Sequence, residues 1–229
     1  MGNKLIILRS LIFNILFFLL SLFIGILFSP FLISKKITVI VASYWAKITL
    51  YFLKIICKIE IKIDEKFLLN KKKSVLAIRH ESILDTILFI AYFPNVKYIV
   101  KKELLYVPFY GLFVWRCGHI IIDRQGKSTT LNKMINLVRS NFNLGMNVII
   151  FPHGTRVKSG LKVDVKSGIY AFYKYLNIPI TPVHLSTGLV WDRKGFIKRP
   201  GIVEVKFDKN INLGINKEGF LRILNLKLN

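Results

Sequence analysis

His80 and Asp85 are the two residues of this chain whose types and spacing best suit acid–base chemistry. The apolar run 74–78 suits a buried strand, and 86–93 suits a buried helix. A strand-to-helix turn between these elements would let Asp85 accept a hydrogen bond from one imidazole nitrogen and leave the other free as a base. The alternative interpretation is that both side chains only serve the start of the helix, where Ser82 suits the N-cap position.

Three further blocks follow at set distances along the chain. Residues 118–124 read Gly-His-Ile-Ile-Ile-Asp-Arg, residues 151–156 read Phe-Pro-His-Gly-Thr-Arg, and residues 178–183 read Ile-Pro-Ile-Thr-Pro-Val. Together with the His-x-x-x-x-Asp block, this ordered set resembles the glycerolipid acyltransferases, the 1-acyl-glycerol-3-phosphate acyltransferase family. The resemblance covers roughly residues 74 to 205.

Two positions depart from the family pattern. Arg79 stands before the histidine, where the family often has Asn, and His153 stands where the family usually has Glu. A neutral His153 could still bond to a glycerol hydroxyl, and a protonated one could pair with phosphate.

The resemblance implies an enzyme, a 1-acylglycerol-3-phosphate O-acyltransferase of phospholipid biosynthesis. The donor would be a thioester of coenzyme A or acyl carrier protein, and the acceptor 1-acyl-sn-glycerol-3-phosphate (lysophosphatidate), giving phosphatidate. His80 would act as general base and Asp85 would orient it. The resemblance implies no cofactor other than the thioester co-substrate, and no metal.

The resemblance also implies a substrate-binding set, which comprises Lys102, Arg124, His153, Gly154, Thr155 and Arg156. Arg124 and Arg156 would bind the acceptor phosphate through their planar guanidinium groups, with Asp123 orienting Arg124. Gly154 would allow close backbone approach. A surface ion pair of Asp123 with Arg124, and solvated lysines at 101 and 102, are the alternatives.

Two other functions remain open. One is acyl transfer to a different acceptor, such as glycerol-3-phosphate or another lysophospholipid. The other is a basic, membrane-bound lipid-binding protein whose active site has decayed, an interpretation that His153 favours.

The composition points to an anionic membrane surface as a partner. The chain has 229 residues, a net charge of +23 and 53% hydrophobic residues, although a composition rich in Lys, Ile and Asn accounts for part of that charge. Nucleic acid is disfavoured as a partner, because the basic residues share the chain with an apolar N-terminus and no recognition motif is visible. Cys57 and Cys117 are too few for a disulfide framework or a metal site.

Residues 10–34 carry no charge and are long enough to cross a hydrocarbon core of about 30 Å. Pro30 could kink or end this helix, so spanning and re-entrant arrangements both remain open. Residues 37–57 suit an amphipathic helix on the membrane surface, or a helix packed on the core. Because acyl thioester donors are cytosolic, we expect a bacterial inner-membrane protein whose catalytic domain lies on the cytoplasmic side.

The alternation of strand and helix patterns predicts an α/β fold. We expect a single acyltransferase domain with a mostly parallel or mixed sheet flanked by helices, plus an N-terminal hydrophobic helical membrane anchor. The predicted division is 1–58 for the membrane-anchoring helices and 59–229 for the catalytic domain. Residues 111–115 are expected to form a helix on the membrane side of the site.

Overall fold

A seven-stranded mixed sheet forms the centre of the part of the chain that the structure describes. The computed structural model describes residues 2–31, 34–64, 75–123, 128–193 and 195–229. The strands are β1 (Ile59–Ile63), β2 (Val75–Ile78), β3 (Lys97–Lys101), β4 (Ile120–Ile122), β5 (Val148–Ile150), β6 (Ile180–His184) and β7 (Gly201–Phe207). Their order is β1-β7-β6-β2-β5-β3-β4, and only β6 and β7 pair antiparallel. The predicted α/β class with a mixed sheet is confirmed.

Helices flank both faces of this sheet. They are α1 (Gly2–Phe28), α2 (Lys35–Cys57), α3 (Leu84–Tyr92), α4 (Tyr110–Arg116), α5 (Ser128–Asn143), α6 (Gly168–Leu176), α7 (Thr187–Val190) and α8 (Lys217–Leu228), with 3-10 turns at Ser29–Phe31 and Lys102–Tyr106. Side-chain caps fix two of the starts. Ser34 accepts from the backbone N–H of Ile37 at the start of α2, and Asn216 accepts from that of Gly219 at the start of α8.

Strand β2 shows why the core has two sides. Its four residues are all buried, and they alternate between two hydrophobic clusters because successive side chains point to opposite faces of a sheet. Leu76 and Ile78 belong to the cluster that includes residues of α1, α2 and α3. Val75 and Ala77 belong to the cluster that includes residues of α5, α6 and α8. A strand buried on both faces reads as the continuous apolar run seen in the sequence.

The two N-terminal helices share the first of these clusters. Phe13 of α1 and Ala46 and Leu53 of α2 are fully buried against side chains of the sheet and of α3. Both helices are long and apolar enough to cross a membrane by length and composition alone. Because they contribute to the core of the sheet layer, they are part of one folded body, and the division at residue 58 stays a prediction.

Candidate active site

The sheet brings the ends of three sequence blocks to one edge. Strands β2, β3, β4, β5 and β6 are parallel to one another, so their carboxyl ends all lie on the same side. Ligands of α/β sheets bind at such an edge. The residues that follow these strands include His80, Lys102, Asp123, Phe151 and Thr187.

His80 and Asp85 make the contact that their spacing predicts. His80 Nδ1 lies 2.8 Å from Oδ2 of Asp85, a carboxylate with no solvent exposure. Since a carboxylate only accepts hydrogen bonds, Nδ1 carries the proton and Nε2 presents its lone pair. His80 remains partly exposed, so a proton donor can reach its ring.

Asp85 is held by three further groups. Its Oδ2 accepts from the backbone N–H groups of Glu81 at 2.7 Å and Ser82 at 2.9 Å, and its Oδ1 accepts from the hydroxyl of Thr187. This set compensates the buried negative charge. Ile83 occupies the N-cap position and has no side-chain cap bond, while the hydroxyl of Ser82, one residue earlier, accepts the backbone N–H of Leu84 at 3.1 Å. Ser82 therefore serves the start of the helix as predicted, but from one position before the N-cap.

The imidazole of His80 rests on Phe151. The two ring centroids are 4.1 Å apart with an interplanar angle of 23°. Tyr98 stacks beyond Phe151 at 6.2 Å. Fixed on one face by an aromatic ring and at Nδ1 by Asp85, the imidazole has little rotational freedom.

Arg79 connects the turn that carries His80 to two other parts of the chain. The residue is 7% exposed, and its Nε donates to Glu81 at 2.9 Å. Nη1 donates to the carbonyl of Leu228 and to Asn229 Oδ1, and Nη2 donates to the carbonyls of Lys158 and Leu161. All five donors of the guanidinium are therefore used.

Glu81, the ion-pair partner of Arg79, makes further contacts behind His80. Its Oε2 accepts from the Ser159 hydroxyl at 2.7 Å and from the backbone N–H of Gly188 at 3.2 Å. Gly188 follows Thr187, which binds Asp85. The pair Arg79–Glu81 thus joins the end of α8, the loop around Ser159 and helix α7 to the turn that carries His80.

His153 lies behind the site surface, with 2% exposure. Its Nε2 donates to the carbonyl of Val163 at 3.0 Å, and its Nδ1 has no hydrogen-bond partner among the described residues. Burial lowers the pKa of this imidazole, and the nearby charge of Arg79 lowers it further, against the raising effects of Val163 and Asp164. A neutral ring is therefore favoured, and pairing with phosphate through a protonated ring is disfavoured.

The rest of the block after β5 forms an exposed turn. Gly154 has φ +71°, and a Cβ added there would lie 3.1 Å from Nζ of Lys166, so a side chain at 154 would be both strained and crowded. Thr155 is exposed. Arg156 is half-buried, and its Nη1 lies 3.4 Å from the carbonyl oxygen of Arg193.

The predicted phosphate ligands from the other strands are only partly described. Lys102 lies at the carboxyl end of β3, where its Nζ is 3.7 Å from Oδ2 of Asp123. Both side chains are about half exposed, so this pair adds little stability and leaves Lys102 accessible. Arg124 lies outside the described residues. Its predicted interactions with phosphate and with Asp123 stay predictions.

Sequence reasoning missed four residues that the structure places around the dyad. Glu81 and Phe151 were noticed only as members of their blocks, and Arg79 only as a departure from the family pattern. Thr187 lies 102 residues beyond Asp85, and no local pattern signals it. Its position shortly after a strand that is parallel to β2 is the only available cue.

Comparison with known proteins identifies the family of the chain. A family model described as Acyltransferase matches residues 58–186, and the chain belongs to this acyltransferase family. A 1-acyl-sn-glycerol-3-phosphate acyltransferase from Pseudomonas aeruginosa is 26% identical over 165 residues, which are 72% of this chain and 64% of that protein. One from Cocos nucifera is 28% identical over 140 residues, covering 60% and 46%. The chain thus spans about half to two thirds of the length of the curated relatives it matches.

The fold itself has a close counterpart among solved structures. The crystal structure of the 1-acyl-sn-glycerophosphate (LPA) acyltransferase, PlsC, from Thermotoga maritima superposes with a TM-score of 0.72 at 17% sequence identity. The match covers 95% of this chain and 93% of that one. The resemblance stated from the four sequence blocks is confirmed at the level of the family.

Proposed function

We propose that this protein transfers an acyl chain from a thioester of coenzyme A or acyl carrier protein to the free hydroxyl of 1-acyl-sn-glycerol-3-phosphate, forming phosphatidate. The observation that carries the proposal is the contact between His80 Nδ1 and the buried carboxylate of Asp85, which leaves Nε2 as a proton acceptor at the sheet edge. Membership in the acyltransferase family and the names of the relatives support the choice of reaction and acceptor.

In this mechanism, Nε2 of His80 takes the proton of the acceptor hydroxyl as its oxygen attacks the thioester carbonyl carbon. The carbon–sulfur bond then breaks, and the leaving thiolate takes the proton back from the imidazolium. The products are the new ester and a free thiol. General-base help of this kind supplies about 10²–10⁴-fold in rate, and Asp85 keeps the imidazole in the required tautomer while stabilising its charged form.

Phosphate recognition is assigned to the cations around the same edge. Arg156 is half-buried and follows Gly154, whose φ of +71° shapes the turn that presents the guanidinium. Thr155 supplies a hydroxyl, and Lys102 supplies a point charge from β3. His153 would contribute through its unpartnered Nδ1, which can accept a hydrogen bond from a hydroxyl of the glycerol when the surrounding loop opens.

The two N-terminal helices α1 and α2 pack against each other as a hairpin, which supports a position at the membrane. The outer side of α1 exposes a series of large apolar side chains, which includes Phe18, Leu19, Leu22, Phe23, Ile26 and Leu27. Both halves of this helix contact the rest of the chain, through Ser10 near its start and Gly25 near its end. A hairpin attached along its length is suited to lie in one leaflet. Because the donors are cytosolic, we place the catalytic layer at the cytoplasmic side of the inner membrane.

The test follows phosphatidate formation in membranes that carry the protein, with labelled lysophosphatidate and either acyl-coenzyme A or acyl-acyl carrier protein. We expect product from the wild type and a loss of about 10²-fold or more in His80→Ala. A His153→Glu variant restores the family residue at that position. Product from this variant alone would mean that His153 has disabled the site.

The same assay separates the competing functions. Product only when lysophosphatidylglycerol or glycerol-3-phosphate replaces lysophosphatidate would assign another acceptor. If no variant yields product with any acceptor, while the purified chain still binds anionic vesicles, the chain is a lipid-binding protein and the acyl-transfer proposal is wrong.

A further inference from the structure

A second apolar surface lies outside the N-terminal hairpin. Between Glu103 and Arg116 the chain carries no charged residue. This stretch, which we call the 104–115 segment, covers the end of the 3-10 turn Lys102–Tyr106 and most of α4. Its exposed large apolar side chains are Tyr106, Val107, Phe109, Tyr110, Leu112 and Trp115. Tyr106 is 77% exposed and Trp115 58%, which is unusual for so short a stretch in contact with water only.

The backbone holds these side chains outward in a defined shape. Phe109 has φ +57°, a conformation that a residue with a side chain rarely adopts. At Gly111, an added Cβ would lie 2.0 Å from the carbonyl oxygen of Leu105, so only glycine permits this close approach of α4 to the 3-10 turn. The exposed surface therefore belongs to a tightly folded unit.

The segment adjoins the hairpin. A Cβ added to Gly25 of α1 would lie 2.9 Å from the ring of Phe109, so this ring packs directly on the helix. Gly25 is itself buried, but Phe23 and Ile26 on either side of it in sequence are among the exposed apolar residues of α1 named above. The two apolar surfaces are thus neighbours, and together they extend the apolar area from the hairpin to the carboxyl end of β3, where Lys102 lies.

The charges around the segment suit a phospholipid bilayer as the occupant. Lys101 and Lys102 precede the segment, and Arg116 follows it, with its guanidinium 5.9 Å from the centre of the Trp115 ring. Lys35 lies close by, since its Nζ would be 3.0 Å from a Cβ at Gly118. Tyrosine and tryptophan rings bordered by lysine and arginine are typical of side chains at the headgroup boundary of anionic membranes.

We propose that the 104–115 segment is a second membrane-contacting element, which inserts its aromatic and aliphatic side chains into the surface of an anionic phospholipid bilayer next to the acceptor site. The contact goes beyond the proposed acyl transfer and does not depend on it. Its consequence is that the carboxyl end of β3 lies at headgroup level, where a lysophospholipid can reach His80 without leaving the membrane.

The test measures depth in the bilayer. Leu112→Cys is labelled with an environment-sensitive fluorophore and mixed with vesicles of phosphatidylglycerol and brominated phosphatidylcholine. Leu226→Cys on α8 is the matched control, because it is also an exposed leucine but lies on the helix layer of the opposite sheet face. The two native cysteines are buried, and the unsubstituted chain controls for their labelling.

We expect a blue shift and bromine quenching at position 112, and neither at position 226. Equal signals at both positions, or no quenching at 112 while the chain is bound to the vesicles, would overturn the proposal. This readout needs no catalysis, so it can fail independently of the proposed function.

A variant pair gives a second measure of the same contact. Tyr106→Ser with Trp115→Ser should weaken vesicle partitioning by about tenfold or more, since apolar area inserted in the interface is lost. Leu144→Ser with Leu226→Ser should change it little, with thermal unfolding checked for both. Equal losses in the two double variants would contradict the proposal.

Discussion

Thr187 shows how much the proposed general base depends on a residue that does not touch it. The hydroxyl of Thr187 donates a hydrogen bond to Oδ1 of Asp85. The other oxygen, Oδ2, is bound by His80 and by two backbone N–H groups. Without that hydroxyl, one oxygen of a fully buried carboxylate would lose its bond. Hydrogen bonds to charged groups contribute about 1.5–3 kcal/mol.

We therefore predict that Thr187→Val lowers the rate of acyl transfer by about 10–100-fold, the equivalent of that free energy. Thr187→Ser keeps the hydroxyl and should retain most of the activity. The measurement is kcat for both variants together with its pH profile, because misorientation of His80 should change the profile as well as the rate. Equal activity of the valine and serine variants would remove Thr187 from the mechanism.

Residue spacing predicted part of the site. A histidine on a strand-to-helix turn and an aspartate at the start of the helix were enough to predict their contact. The sequence did not reveal that Asp85 would also bind the backbone N–H groups of Glu81 and Ser82, because that contact depends on the exact conformation of the turn. Nor did it reveal the role of Arg79, because four of its five hydrogen bonds reach parts of the chain that are distant in sequence.

At the scale of elements, the contact between α1 and the strand layer rests on Lys198. This residue is 1% exposed, and its ammonium donates to Asn14 Oδ1 and to the carbonyls of Gly195 and Phe196. The Trp191 ring lies 4.5 Å away. Burial lowers the pKa of Lys198 to about 8, so the ammonium still carries its charge at neutral pH and needs its hydrogen-bond partners.

Asn14→Leu should therefore destabilise the protein by about 1–3 kcal/mol, because it leaves one donor of a buried ammonium without a partner. Asn14→Asp retains the acceptor and serves as the matched control. Thermal unfolding in detergent measures the difference. If the leucine variant melts at or above the wild type, α1 is not held by Lys198.

Ser10 and Asn14 were the sequence signal for this contact, since they interrupt an apolar helix at an interval of four residues, on one face. Their partners could not be predicted, because residues 195–198 lie far along the chain. The predicted anchor was therefore treated as an appendage, although Phe13 lies in the same core as the sheet.

His119, between α4 and β4, gives the fold a predictable response to acid. Burial lowers its pKa to about 3, and the charges of Lys97 and Lys35 contribute. Its Nδ1 accepts from the backbone N–H of Tyr98 at 3.4 Å. In the unfolded chain, this histidine would bind a proton near its ordinary pKa of about 6.5. In the folded chain, its pKa of about 3 keeps it neutral until the solution is far more acidic.

Because the unfolded state binds more protons within that window, stability should fall as the pH drops below 6.5. His119→Asn keeps an acceptor but cannot titrate, so the free energy of unfolding of this variant should fall less steeply with decreasing pH. Its slope should be smaller than that of the wild type by up to about 1.4 kcal/mol per pH unit. Denaturant unfolding at pH 7.5 and pH 5 measures both slopes. Parallel slopes would show that His119 is protonated equally in the folded and unfolded chains.

For the whole molecule, the fold class followed from the alternation of strand and helix patterns, but the strand order did not. β1 pairs with β7, 142 positions further along at Ile59 and Gly201, and short apolar strands carry no signal for such a distant partner. The parallel arrangement of β2 to β6 is nevertheless what places His80, Asp123 and the turn after Phe151 at one edge. The family was thus easier to predict than the topology, because the blocks are local and their assembly is not.

The contacts between α1 and the rest of the molecule also determine how the N-terminal hairpin lies relative to the membrane. Both ends of α1 contact the folded body, at Ser10 and at Gly25, so the turn at Ser29–Phe31 should stay on the same side of the bilayer as the sheet. A hairpin that crossed the membrane would place that turn on the opposite side. Cysteine labelling of Ser29→Cys in bacterial spheroplasts distinguishes these arrangements.

We predict that a membrane-impermeant maleimide leaves Ser29→Cys unlabelled from outside spheroplasts and labels it only after the cytoplasmic side is opened or the membrane is dissolved. Leu226→Cys, exposed on α8, is the control and should behave in the same way. Labelling of position 29 from outside, with position 226 protected, would show that the hairpin spans the bilayer. It would also require that the contacts of Gly25 and Phe109 break in the membrane.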